Sequence, residues 1–140
     1  MYVVDFETAK KLRDFFGIDY SPWSVDGCNL LYTNDLEKKI ISWSSMEADY
    51  YLKNNNRFLP APYIQEVFEY FETKYGISIY IVPNFDEFNN AQIGTYFEIY
   101  RYGIEGGKNY VSACCMGNKF ESANRAIQEV CELLKDGILN

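Results

Sequence analysis

Histidine is absent from all 140 residues, which removes most of the chemistry that small proteins perform with side chains. Ser-His-Asp and Cys-His nucleophile arrangements, HExxH zinc sites and histidine general bases all require an imidazole. What remains is 20 carboxylates, four thiols and 13 phenols. Carboxylate catalysis of the glycosidase kind needs two acids opposed across a cleft, one of them held protonated. Glu98 is the notable strand carboxylate, placed between Phe97 and Ile99 but on the opposite face of a strand. Sequence does not show such a pairing; Glu98 is not expected to be catalytic, and the chain is read as a non-enzyme.

Cys28, Cys114, Cys115 and Cys131 show no CxxC spacing, and adjacent cysteines on a strand point to opposite faces. They are expected to be reduced, mostly buried thiols in a cytoplasmic protein, not a zinc knuckle. GIEGGKN resembles a phosphate loop only superficially. Tyr102 stands where the first glycine is needed, Asn109 follows Lys108, and the segment joins two strands instead of opening a helix. In NFDEFNN, Asp86 and Glu87 offer oxygens to a hard cation, yet the alternating ligands and central glycine of a calcium loop are missing, so a solvated turn is expected. No metal and no cofactor are expected.

Composition narrows the partners. A net charge of −7, of which residues 58 to 140 carry −5, argues against nucleic acid, whose affinity for proteins comes largely from Lys and Arg neutralising phosphates. MYVVDFETAKKLRD lacks a basic start followed by an apolar run, and nowhere do about 18 uncharged apolar residues occur together, so neither a signal peptide nor a membrane span is expected. Hydrophobic and charged fractions of 48% and 24% are those of a globular chain, whereas 18% aromatic residues is high.

The elements that carry these residues follow from periodicity. Asp5 precedes a helix over 6 to 16, with Phe6, Ala9, Leu12 and Phe16 at helical spacing and Gly17 as its stop. CNLLYT and KKIISWS predict strands near 28 to 33 and 38 to 43, paired as a hairpin across NDLE, before a loop at 53 to 57. Pro62 suits the first turn of a helix, which predicts a helix over 61 to 75 ended by Gly76. ISIYIVP, TYFEIYRY and YVSACC then form an antiparallel meander, and Phe120, Ala123, Ile127, Val130, Leu133 and Leu134 mark a last helix over 121 to 135, closed by Gly137.

LPAPYIQEVFEYF, YGISIYIVP and KFESANRAIQEVCELL together resemble a family of small uncharacterised proteins from gut bacteria and their prophages. Its members share an L-P-A-P turn opening a helix, an I-x-I-x-I strand and an aromatic-Glu-x-Ala helix at the C-terminus. The resemblance covers roughly residues 58 to 83 and 119 to 135. It departs after the A-P pair, where family members usually carry Thr then Gln and this chain has Tyr63 and Ile64, with Gln65 one place later. The resemblance implies a fold and a mobile-element origin; it implies no activity, cofactor or site residue.

The expected fold is a single α+β domain. Residues 58 to 140 form an α-β-β-β-α core with its helices on one face of the meander, and residues 1 to 52 add a helix and a hairpin. If Ile77, Ile79, Ile81, Phe97, Ile99, Val111, Ala113 and Cys115 face the helices, alternation sends Tyr80, Tyr96, Glu98, Tyr100, Tyr102 and Tyr110 to the other side. That candidate face is either covered by residues 1 to 52, used against another protein or a second copy, or a small-ligand site. Tyrosine suits binding surfaces because it supplies large contact area at low entropic cost. The expected function is an accessory protein acting through this acidic, tyrosine-rich surface. The alternatives are a double-stranded RNA-binding module, which shares the α-β-β-β-α order, and an acidic mimic of nucleic acid.

Overall fold

The computed structural model describes residues 2–16, 29–32, 40–43, 59–103, 106–115 and 118–136. Three helices and two antiparallel sheets among these residues make it an α+β protein. The chain forms two compact units, Met1–Val67 and Phe68–Asn140.

In the first unit, helix α1 (Phe6–Phe16) is capped by Asp5, whose Oδ1 accepts from the Thr8 amide at 2.8 Å. Phe6, Thr8, Ala9 and Leu12 form its buried stripe. Strand β1 (Asn29–Tyr32) pairs antiparallel with β2 (Ile40–Trp43), from Asn29 opposite Trp43 to Tyr32 opposite Ile40, which is the expected hairpin. The expected turn at NDLE, the loop at 53 to 57 and the stops at Gly17 and Gly137 lie outside the described residues.

A two-residue strand, β3 (Leu59–Pro60), completes the sheet in the order β2-β1-β3. Proline is tolerated there because β3 is an edge strand and need not donate on its outer side. Tyr2, Val3 and Val4 run antiparallel to residues 62 to 64, with Val3 bridging Tyr63. The Val4 amide donates to the Pro62 carbonyl and the Ile64 amide to the Tyr2 carbonyl, both at 2.9 Å. Tyr32 locks this arrangement. Its hydroxyl donates to the Val4 carbonyl at 2.5 Å, and its ring meets Phe6 edge-on at 5.4 Å.

L-P-A-P therefore does not open the helix, as its prolines suggest. Each proline drives the residue before it, Leu59 and Ala61, toward extended backbone, so Leu59–Pro60 form a strand and Tyr63 just after the motif forms the bridge to Val3. Helix α2 (Ile64–Tyr75) begins only at Ile64. Val67 and Phe71 are fully buried along it, and Gly76 ends it with φ of 67°, its amide donating to the Glu72 carbonyl.

The second unit is built on the meander β4 (Ile77–Phe85), β5 (Gln92–Gly103) and β6 (Gly106–Cys115), in that spatial order. Ile79 pairs with Ile99 and Ile81 with Phe97 in one direction, and Phe97 pairs with Ala113 and Ile99 with Val111 in the other. Paired residues share a face, so this register sets one apolar face across all three strands.

Helix α3 (Lys119–Lys135) covers that face over β4 and β5. Asn118 caps it, accepting from the Glu121 amide at 3.0 Å, and the helix starts two residues before the expected 121. Ala126, Ile127 and Val130 are fully buried beside Ile77 and Ile99. Burial of such side chains is worth roughly 1.5–3 kcal/mol each and is what holds helix to sheet. The contact also has a polar point, where Thr95 of β5 and Ser122 of α3 share a hydrogen bond between their hydroxyls. Cys131, a buried free thiol, lies near Tyr75 at the end of α2, and burial first and Tyr70 second raise the Tyr75 pKa.

Candidate functional site

The other face of the β4-β5-β6 sheet carries the tyrosines. Because Ile77, Ile79, Phe97 and Ile99 face α3, alternation leaves Ser78, Tyr80 and Val82 of β4 beside Tyr96, Glu98 and Tyr100 of β5. Tyr80 lies directly opposite Glu98, while Tyr96 and Tyr100 flank Glu98 two residues away along the same strand. One carboxylate thus sits among three phenols.

The geometry within this group is specific. Tyr80 and Tyr100 meet at 81° with ring centroids 5.5 Å apart, an edge-to-face pair. The Tyr100 hydroxyl donates to Glu98 Oε2 at 3.1 Å. That hydrogen bond is the largest reason why the Tyr100 pKa lies above the ordinary tyrosine value; the charge on Glu98 acts in the same direction. The hydroxyl therefore stays protonated at neutral pH. Tyr80 is 44% exposed, and Tyr96, Glu98 and Tyr100 are half-buried, so the group is open to solvent at the Tyr80 end.

Tyr102 takes the register position opposite Gly107. Tyr110 falls at an irregularity, because Ile99 pairs with Val111 and Tyr100 with Asn109, leaving Tyr110 as the extra residue of a bulge. A bulge breaks the simple alternation from which its orientation was expected. The side chains of Tyr102 and Tyr110 lie outside the described residues, as do those of Cys114, Cys115 and Lys108.

A second exposed feature lies in the segment expected to be a solvated turn. The β4-β5 connection, Asp86 to Ala91, is held by its own hydrogen bonds. The Asp86 amide donates to the Ala91 carbonyl at 2.8 Å, the Asn90 amide to the Asp86 carbonyl at 3.0 Å, and the Phe88 amide to Asp86 Oδ1 at 2.8 Å. Asn90 takes the left-handed conformation with φ of 59° and Asn89 Oδ1 accepts from the Ala91 amide. This ordered tip leaves Phe88 97% exposed, with Phe85 and Ile93 also exposed at its base. Its signal in the sequence is the pair of phenylalanines in a segment otherwise made of turn formers.

Asp86 uses an oxygen on the backbone of its own turn, and no cluster of three or more metal-ligating side chains occurs among the described residues. Gly103 and Gly106 pair across a two-residue connection, so GIEGGKN joins two strands. No helix among the described residues is long and apolar enough to cross a membrane. A comparison of the chain with family models, with curated proteins and with solved structures finds no match.

Proposed function

We propose that this chain is a non-enzymatic interaction protein that contacts another protein through the Tyr80, Tyr96, Glu98 and Tyr100 face of its second sheet. The observation that carries the reading is a group of three tyrosines around Glu98, exposed at Tyr80 and half-buried at Tyr96 and Tyr100, on a sheet whose opposite face is covered by a helix over β4 and β5. Solvent-accessible tyrosines around a single carboxylate are a composition typical of recognition surfaces, where large flat contact area and a few polar ends provide affinity and orientation. The missing histidine removes the commonest acid-base and nucleophile chemistry. An accessory role in a mobile element and a cytoplasmic setting belong to the same proposal; the sequence resemblance and the unpaired spacing of the cysteines support them.

The RNA alternative draws on the element order α2-β4-β5-β6-α3, which double-stranded RNA-binding modules share. Such modules grip phosphates with basic side chains. Here the first turns of α3 offer Lys119 and Arg125, and the tip between β4 and β5 carries Asp86 and Glu87. The charge favours a protein partner.

The test is a comparison of captured proteins. The full chain and its Tyr96→Glu, Tyr100→Glu double variant are each used as bait in native cytosol, after thermal unfolding has shown equal stability. A protein retained by the first and lost by the second is expected. If the first is a dimer in sedimentation and the second a monomer, the partner is a second copy. Identical captured sets with no change of assembly state, or turnover of a small molecule that Glu98→Gln abolishes, would overturn the reading.

A further inference from the structure

Glu98 is the only charge on the open face among the described residues of β4 and β5. The face positions read Ser78, Tyr80, Val82 and Asn84 on β4, and Gly94, Tyr96, Glu98 and Tyr100 on β5. Arg101 falls on the α3 side by the same alternation, since it pairs with Ile77. The register partner of Glu98 on β6 is Ser112, and those of Tyr96 and Tyr100 are Cys114 and Asn109, none of them basic. Glu98 accepts from the Tyr100 hydroxyl through one oxygen. A hydroxyl donor orients a carboxylate without neutralising it, and a carboxylate retains acceptor capacity after one such bond.

The rings around it are arranged as two walls at a right angle, Tyr80 and Tyr100, with Tyr96 on the far side along the strand. The face of an aromatic ring attracts a cation, and a planar guanidinium in addition stacks on the ring and presents paired donors to a carboxylate. A carboxylate between aromatic walls, with no basic residue at the register positions beside it, matches that group better than it matches a neutral or anionic one.

We propose that the Tyr80–Glu98–Tyr100 cluster binds a guanidinium, the side chain of an arginine presented by a protein partner. The inference rests on the reading of this face as an interface and names the chemistry of what it receives. The arginine stacks on Tyr80, the more exposed ring, and donates to the Glu98 oxygen that Tyr100 does not use. Lysine fits less well, because its ammonium is a point charge that cannot stack or donate in a plane.

The test uses short peptides as probes and the full chain as receptor. Tetra-arginine, tetra-lysine and tetra-glutamate peptides are titrated while the tyrosine ring signals are followed by NMR. Tetra-arginine is expected to saturate, to bind severalfold more tightly than tetra-lysine, and to shift the rings of Tyr80 and Tyr100; tetra-glutamate should not bind. Glu98→Gln and Tyr80→Leu should each weaken arginine binding about tenfold, a loss of about 1.4 kcal/mol. Tyr100→Phe should keep binding, because it frees the second oxygen of Glu98. The net charge of −7 attracts any cationic peptide, so Glu121→Gln, exposed on α3, is the control and should change nothing.

Equal losses in Glu98→Gln and Glu121→Gln, or no preference for arginine over lysine, would overturn the inference. Loss of the captured partner in the double tyrosine variant together with failure of the arginine peptide would leave the interface standing and this chemistry refuted. Saturable arginine binding with an unchanged set of captured proteins would do the reverse.

Discussion

Replacing Tyr32 by phenylalanine deletes one oxygen atom from the first unit, and its loss should register both in stability and in the way stability depends on pH. The ring is 6% exposed and stays in place against Phe6, but the Val4 carbonyl, on a fully buried residue, loses the hydroxyl that donates to it. A buried acceptor left without its donor costs about 1–3 kcal/mol. The second effect comes from titration. Burial first, and the nearby charge of Asp5 second, push the Tyr32 pKa from 10.0 up to about 12. A raised pKa means that the folded state holds this proton more tightly than the unfolded chain does. The contribution of Tyr32 is therefore complete below about pH 10 and drains away between about pH 10 and pH 12. At about pH 11 the parent should have lost up to about 1.4 kcal/mol that the phenylalanine variant never had, an upper limit because nearby water screens part of it. Urea unfolding of both proteins under reducing conditions, at about pH 8 and about pH 11, measures the gap directly. The other tyrosines titrate in both proteins and cancel in the difference. The gap is expected to be clear at the lower pH and to shrink by about 1 kcal/mol at the higher. A gap that is the same at both, or absent at the lower, would refute the placement of that hydroxyl on Val4.

Asn118→Ala removes the cap of α3 and should lower stability by about 1 kcal/mol in urea unfolding, whereas Asn118→Asp should retain it, since a carboxylate accepts from the Glu121 amide and favours the helix N-terminus. Phe88→Ser, at a side chain 97% exposed, should change stability by no more than about 0.5 kcal/mol; a larger loss would mean that the β4-β5 tip is packed against something.

The second sheet was legible because its apolar residues alternate without interruption. Ile77, Ile79 and Ile81 followed by Phe97 and Ile99 leave one register in which every large apolar side chain meets the helix, and a slip of one residue would reverse all of them. The same alternation placed Tyr80, Tyr96, Glu98 and Tyr100 together. It could not place Tyr110, because a bulge depends on how two strands meet and not on the composition of either. L-P-A-P was misread for a related reason. Its prolines are compatible with a helix start, and the competing outcome needs Val3 and Val4, about 60 residues earlier, to supply the bridge. Local propensity says nothing about so distant a partner. Nor does it reveal that a tyrosine in a short strand reaches the carbonyl of Val4, or that Asn124 is buried in α3 with its amide donating to the Phe120 carbonyl.

The bridge between Tyr2–Val4 and residues 62 to 64 has a consequence for the order in which the molecule is made. Tyr2 leaves the ribosome about 60 residues ahead of Ile64, which at typical synthesis rates is a wait of roughly 3 to 12 s. During that interval α1 has its apolar stripe but not the strand segment that secures its entry. The N-terminal segment must then find residues 62 to 64 by closing a long loop, which is entropically costly and slows folding of topologies rich in distant contacts. The meander that follows pairs neighbours in sequence and carries no such delay once its last strand is out. A pause in translation before residue 64 would prolong the time in which Tyr2 and Val4 stand without their backbone partners.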